Sequence, residues 1–222
     1  FPDTVTVKGV GDDALLNSAI TVVNNGSGIP IVPYAATEEG SVALEEGTTV
    51  VEAIFNNWLS GNNYDDTEER AGGGRNGIGI KATNALSTNF TVNVKDPING
   101  KTFDMTWADG MSKTSKPSIR SRKAKTGGVT VSFVPDFAYF KLPAPDVASG
   151  AWDDELQLVV QTRIAELAAC LPVSKVKFNG VTHPFCNKFD KLAQAAAKCL
   201  GSAKVGKGVK IACGEDSKGS KG

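Results

Sequence analysis

Residues 72–81 read Gly72-Gly73-Gly74-Arg75-Asn76-Gly77-Ile78-Gly79-Ile80-Lys81, a glycine-rich stretch that ends on a lysine as helical periodicity begins. Gly72, Gly74 and Gly77 satisfy G-x-G-x-x-G, and Asp96 follows near the distance where a dinucleotide fold places its ribose-binding acid. That fold needs a buried strand directly before the glycines, and the polar run Asn62-Asn63-Tyr64-Asp65-Asp66-Thr67-Glu68-Glu69-Arg70 cannot supply one. A P-loop is excluded too, because Ile80 separates Gly79 from Lys81 and Ala82 follows the lysine. The chemistry left is anion binding: closely approachable backbone N–H groups with one cation at a helix start. A glycine turn that merely caps the helix would look the same, and this motif alone leaves both readings open.

A second glycine loop lies upstream, Asn24-Asn25-Gly26-Ser27-Gly28-Ile29-Pro30, directly after the β-rich run at 20–23. A strand-end asparagine can offer its side-chain carbonyl to an exocyclic amine, and Gly26 and Gly28 would let a planar base approach the backbone. Two such loops flanking one helix point to a single ligand site.

The elements that must position these loops follow from periodicity. Val5 and Val7 alternate with Thr4, Thr6 and Lys8, and Gly11-Asp12-Asp13 offers a turn, so 4–8 and 20–23 form a hairpin. Val51, Ile54, Phe55, Trp58 and Leu59 share one helix face, with Thr49 and Glu52 as a capping box and Gly61 as a stop. Residues 62–74 are a polar loop and 77–86 a helix, and strands follow at 90–94, 102–107 and 129–134, the first two joined by Asn99-Gly100. A helix from 152 to 171 presents Leu156, Val159, Val160, Ile164 and Leu167 to a sheet face. A short strand at 175–178 closed by Asn179-Gly180, a small helix through Phe189, Leu192 and Ala196, and a Gly/Ser/Lys-rich tail from Gly214 complete the chain. The fold class is α+β, a two-layer sandwich of helices on a mixed, mainly antiparallel sheet.

At this point the sequence resembles the ATPases shared by type II topoisomerases, heat-shock protein 90, bacterial sensor kinases and MutL-type mismatch-repair proteins, with a Bergerat-type fold. Asn24, where most of them have Asp, resembles the eukaryotic type II topoisomerase branch. So do Asn62-Asn63-Tyr64-Asp65-Asp66, the paired glycines followed by Arg75-Asn76-Gly77, and Asn84-Ala85-Leu86-Ser87-Thr88-Asn89-Phe90-Thr91-Val92. Met105-Thr106-Trp107-Ala108-Asp109-Gly110-Met111, Phe133-Val134-Pro135-Asp136-Phe137 and Val176-Lys177-Phe178-Asn179-Gly180 extend the likeness over about residues 4–190. The resemblance implies that Asn24 binds adenine, with Gly28 close to the base and Ile29 and Ile54 walling it. It implies that Asn62 and Asn63 face ribose and phosphates, and that Gly74, Arg75, Asn76, Gly77, Ile78, Gly79, Ile80 and Lys81 wrap the triphosphate. Ser132 stands where the family usually has Thr near the adenine.

The resemblance also implies ATP and Mg2+ as cofactors, a homodimeric parent that passes one DNA duplex through a break in another, and a nuclear location in a eukaryote. Domains are expected at residues 1–180, an ATP-binding domain lacking its N-terminal helix, and 181–222, the truncated start of a transducer domain with a mobile tail. The family's glutamate base and magnesium-binding asparagine match nothing before Asn24, so no catalytic or metal-binding residue is assigned and this chain alone is expected not to hydrolyse ATP. A degenerate nucleotide-binding module, or another ATPase of the group, is the alternative.

Bulk properties fit this picture. The chain has 222 residues, 41% hydrophobic and 22% charged, and its 24 basic and 24 acidic side chains cancel, so no global positive field marks it as a nucleic-acid binder. Lys113, Lys116, Arg120, Arg122, Lys123 and Lys125 form a run without an acid, best read as a solvated hairpin loop rather than a DNA contact. Cys170, Cys186, Cys199 and Cys213, with His183 as sole histidine, suggest neither a zinc site nor a disulfide framework. No apolar run is long enough to span a membrane.

Overall fold

The computed structural model describes residues 4–8, 19–35, 44–58, 77–122, 124–144, 154–171 and 174–199. Among them the strands are β1 (Thr4–Lys8), β2 (Ile20–Asn24), β3 (Ser87–Asp96), β4 (Lys101–Ala108), β5 (Lys113–Thr114), β6 (Ser118–Ser121), β7 (Gly128–Pro135), β8 (Lys175–Phe178) and β9 (Val181–Thr182). The helices are α1 (Val50–Asn56), α2 (Gly79–Ala85), α3 (Asp154–Cys170) and α4 (Phe189–Cys199). One sheet runs β5-β4-β3-β7-β2-β1-β8-β9, with β6 also on β4. Among the described strands only β1 and β8 pair in parallel, so the sheet is mixed and mainly antiparallel, as the sequence pattern predicts.

Register decides which residues meet the helices. Phe90 pairs with Trp107 and Phe133, Val92 with Met105 and Val131, and Val94 with Phe103 and Val129. Side chains paired across strands share a face, and neighbours along a strand alternate. These apolar positions therefore form one continuous face, extended through Val22 and Val7 to Phe178. The opposite face carries Thr21, Thr91, Asn93, Asp104, Thr106, Thr130 and Ser132 by the same registers, and Asn93 donates to Asp104 there at 2.6 Å.

The apolar face holds two adjoining cores. Val51 and Phe55 of α1 join Phe90, Val92, Val94, Phe103, Met105, Trp107 and Ile31 in the first. Phe55, Phe90 and Trp107 are in mutual ring contact at 5.6–6.2 Å, pairs each worth about 0.5–1.5 kcal/mol beyond area burial. The capping box of Thr49 and Glu52 is formed, which starts α1 where the sequence placed it. It ends at Asn56, whose Oδ1 accepts the Trp107 indole N–H at 2.7 Å, before the extended Asn57.

The second core lies under α3, where Val160, Ile164 and Ala168 meet Val5, Val7 and Val176, and Leu156 packs near Phe137. Its buried face is the i, i+4 row Leu156, Val160, Ile164, Ala168, so two expected members turn outward: Val159 and Leu167 are exposed, with Leu158 beside them. A further departure concerns the basic run: Lys113 lies on β5 and Arg120 on β6, two short strands on the edge of β4. Lys113 on β5 and Arg120 on β6 put charge on this sheet edge, a feature that disfavours edge-to-edge pairing. The expected Asn179-Gly180 turn is present with φ +45° and +84°, a tight two-residue link from β8 into β9.

Candidate functional site

The loop after β2 is fastened to the protein at several points, although Asn25, Ser27 and Pro30 are exposed. Asn24 lies on the helix-covered face, paired with Val5 and Val129, and its Oδ1 accepts the Gly26 N–H at 3.3 Å. Asn25 fastens the loop to β1, its Oδ1 accepting the Thr4 N–H at 2.7 Å. Gly28 has φ +83°, and a Cβ there would lie 2.3 Å from the Lys95 carbonyl oxygen. Gly127 and Gly128 receive the loop from the other side, with hypothetical Cβ positions 2.4 Å from Ser27 O and 2.6 Å from Asn24 O. The glycine at 28 is therefore demanded by backbone-on-backbone packing within the protein.

The far end of this loop is clamped at one residue. The Ile31 N–H donates to Asp96 Oδ2 at 2.8 Å, and Lys101 Nζ donates to the Ile31 carbonyl at 3.2 Å. Asp96 is buried, at the end of β3, and also accepts the Asn99 N–H at 3.0 Å and the Asn99 Nδ2 at 2.7 Å. Burial alone would raise its pKa, but hydrogen bonds from Asn99, Ile31 and Ile98 outweigh it and hold the carboxyl below the ordinary aspartate range. Beyond Ile31 the chain bridges from Pro33 to Thr49, and Val50 N–H donates to Val32 O at 3.0 Å, which ties the loop to the start of α1.

The second glycine segment is built differently. Gly77 has φ +58°, Ile78 occupies the N-cap of α2 without a side-chain cap and is 40% exposed, and a Cβ on Gly79 would meet nothing within 4 Å. Neither backbone angle nor packing requires glycine at 79. Ile80 packs on the first core, and Lys81 is 2% exposed with its Nζ donating to Gly77 O at 2.6 Å. Desolvation lowers the lysine pKa, as expected for a cation kept from water. One turn further on, Asn84 is buried with neither Oδ1 nor Nδ2 hydrogen-bonded.

Ile29, Ile54, Ile80 and Val129 are all partly buried against the first core, so the structure gathers both loops' apolar residues on the helix-covered face that carries Asn24. Ser132 is not among them. It pairs with Thr21 and Thr91 on the opposite face, its Oγ 2.9 Å from Thr21 Oγ1, so it lies on the other side of the sheet from Asn24, with which the sequence groups it. The residue across from Asn24 is Val129, and only the strand register identifies it. Asn62, Asn63, Gly74, Arg75 and Asn76 lie outside the described residues.

No protein-family model matches the chain. Its overall shape is similar to the crystal structure of the ATPase region of Saccharomyces cerevisiae topoisomerase II, with TM-score 0.73 and 26% identity, covering 89% of this chain and 47% of that one. The chain is homologous to the ATPase region of eukaryotic DNA topoisomerase II. DNA topoisomerase 2 of Penicillium chrysogenum is 36% identical over 168 residues, 76% of this chain, and that of Plasmodium falciparum is 37% identical over 164 residues, 74% of this chain. The ATPase and transducer domains of topoisomerase II from Balamuthia mandrillaris match with TM-score 0.67 and 29% identity, covering 86% of this chain and 44% of that one. The chain spans 10% of the length of the first two relatives. This topoisomerase II-type fold puts α1, α2 and α3, the helices with residues packed in the two cores, on one sheet face, together with Asn24.

Proposed function

We propose that the chain binds ATP on the helix-covered face, with adenine at Asn24 and the triphosphate toward Gly77, Gly79 and Lys81. The carrying observation is that Asn24, Ile29, Ile54, Ile80 and Val129 share that face, with the buried Lys81 on the neighbouring helix. The Asn24 carbonyl accepts one long bond from Gly26 and keeps acceptor capacity for an exocyclic amine. The apolar side chains supply flat walls for a base. At the other end, Lys81 trades a carbonyl partner for a phosphate, a charge-assisted bond that is stronger in a desolvated place. Asn62, Asn63, Arg75 and Asn76 belong to the same site in this proposal, on the strength of the resemblance.

Magnesium would arrive with the nucleotide. Among the described residues no three His, Cys, Asp or Glu side chains gather where a metal could be held, so they do not fit a protein-built site and no step is assigned to the ion. As part of a longer protein, the unit would serve the passage of one DNA duplex through another in a homodimer driven by ATP. Since this chain's charges cancel overall, any DNA contact would be local or lie elsewhere in the longer protein.

The test is calorimetric titration with ATP and with adenosine, on wild type and Lys81→Ala. Wild type should bind ATP at millimolar concentrations or better, and the variant should lose about tenfold for ATP, or 1.4 kcal/mol, with adenosine unchanged. No binding by wild type at millimolar ATP ends the proposal, and equal losses for both ligands would remove the lysine from the phosphate end.

A further inference from the structure

We infer that Asp96 and Lys101, at the tip of the β3–β4 hairpin, are positioning residues that set the base-binding loop; this rests on the nucleotide reading above. Neither side chain belongs to the set that would touch ATP. Both backbone polar groups of Ile31 are nonetheless taken by this hairpin: Asp96 Oδ2 accepts its N–H at 2.8 Å and Lys101 Nζ donates to its C=O at 3.2 Å. Ile31 is itself buried in the first core, so these groups have no water to fall back on.

The position of this residue in the chain gives the clamp its reach. On its N-terminal side lies Ile29, a wall of the site, and before it Gly28, pressed on the Lys95 carbonyl of the same hairpin. On its C-terminal side Val32 O accepts from Val50 N and Tyr34 N donates to Thr48 O, so the same segment sets the start of α1 and with it Ile54. One hairpin tip therefore fixes two walls of the base site through one residue, Ile31. Asp96 in turn is held by Asn99 through two bonds of 2.7 and 3.0 Å, and Gly100 closes the turn at φ +60°. A carboxylate held by three hydrogen bonds from two residues, Ile31 and Asn99, can transmit a fixed position rather than a range of positions.

The clamp's own bonds lie at the base end. At the phosphate end Ala82 N–H donates to Ile78 O at 2.9 Å and Lys81 Nζ to Gly77 O at 2.6 Å, bonds in which Asp96, Lys101 and Ile31 take no part. Loosening Ile31 should thus weaken ligands that carry a base and spare those that carry only phosphates.

The experiment uses the full chain with Asp96→Asn and Lys101→Met. Amide hydrogen exchange is followed in segments 24–34 and 48–50, and calorimetry is done with ATP and with inorganic tripolyphosphate. For Asp96→Asn the two segments should exchange about tenfold faster, the factor that 1.4 kcal/mol represents, with β3, β4 and β7 unchanged. ATP affinity should fall by a similar factor while tripolyphosphate binding stays put, and Lys101→Met should show the same pattern more weakly. Unchanged exchange in the loop, or equal losses for ATP and tripolyphosphate, would overturn the inference. If Asp96→Asn does not fold, Lys101→Met decides by the same two criteria. Failure of wild type to bind either ligand would end the nucleotide reading only, because the exchange measurement still decides whether the clamp positions the loop.

Discussion

The two glycine loops flanking α1 look alike in sequence and are held in opposite ways. The loop from Asn24 to Ile31 is packed against Lys95, Gly127 and Gly128 and pinned by Asp96 and Lys101. The turn into α2 has an exposed Ile78, an open Gly79 and a lysine folded back on its own approach. A glycine required by the protein belongs to a preorganised wall. A glycine that nothing in the protein requires leaves room for a ligand to come close.

Alanine at the two positions gives the largest contrast. Gly28→Ala should destabilise by about 3 kcal/mol or more, combining a left-handed backbone with a contact on a carbonyl that cannot retreat. Gly79→Ala should change stability by less than about 1 kcal/mol, and in the stabilising direction, because it is a helical position with open space beyond. It should nevertheless weaken ATP. Urea unfolding and titration check both halves, and a tolerated Gly28→Ala would erase the difference between the loops.

Acid should act on the clamped loop. Asp96 has its folded pKa below the unfolded value of about 3.9, so its stabilisation is present above that pH and is lost as pH falls through the folded pKa. Unfolding free energies from pH 6 to pH 2 should therefore fall more steeply for wild type than for Asp96→Asn. Superimposable curves would mean that the carboxylate's bonds do not bear on folding.

The opposite sign is expected at the open side. Asn84 is buried with an unbonded amide, a cost on the order of 1–3 kcal/mol that an apolar residue of similar volume avoids. Asn84→Leu should raise the melting temperature. A fall would show that the amide has a partner in solution.

How much of this was legible in the sequence depends on whether the cause was local. The Thr49–Glu52 capping box, the Asn99-Gly100 and Asn179-Gly180 turns and the alternation in β3 and β4 depend on neighbours in the chain, and all were readable. The buried face of α3 was not, because Leu158, Val159 and Leu167 make it apolar on more than one side and only the sheet beneath selects Leu156, Val160, Ile164 and Ala168. Strands of two and four residues such as β5 and β6 carry too little pattern to be seen. For the candidate site, loop chemistry and likeness name Asn24, Ile29 and Ile54, and the fold sets them on one sheet face. That Gly28 answers to Lys95 could not, since a glycine needed by a distant carbonyl and one needed by a ligand are the same letter.

The smallest effect is expected at Ser132, and it tests the face assignment on which the comparison rests. Alternation in β7 shows from sequence alone that Val129 and Ser132 point to opposite sides, but not which of them accompanies Asn24. The register supplies that: Asn24 pairs with Val129, while Ser132 pairs with Thr21 and shares a 2.9 Å hydroxyl contact with it. Ser132→Ala removes that contact, a neutral hydrogen bond worth about 0.5–1.5 kcal/mol at a half-buried position, and nothing on the helix-covered face. ATP affinity should stay within about twofold of wild type, since less than 0.5 kcal/mol of change would be expected from so distant a site. Val129→Asp, which places a charge beside Asn24, should abolish binding, while Val129→Thr, close in shape, should retain it. A tenfold loss in Ser132→Ala with an undisturbed melting curve would put the base on the other face of the sheet, and both loops would then need new roles.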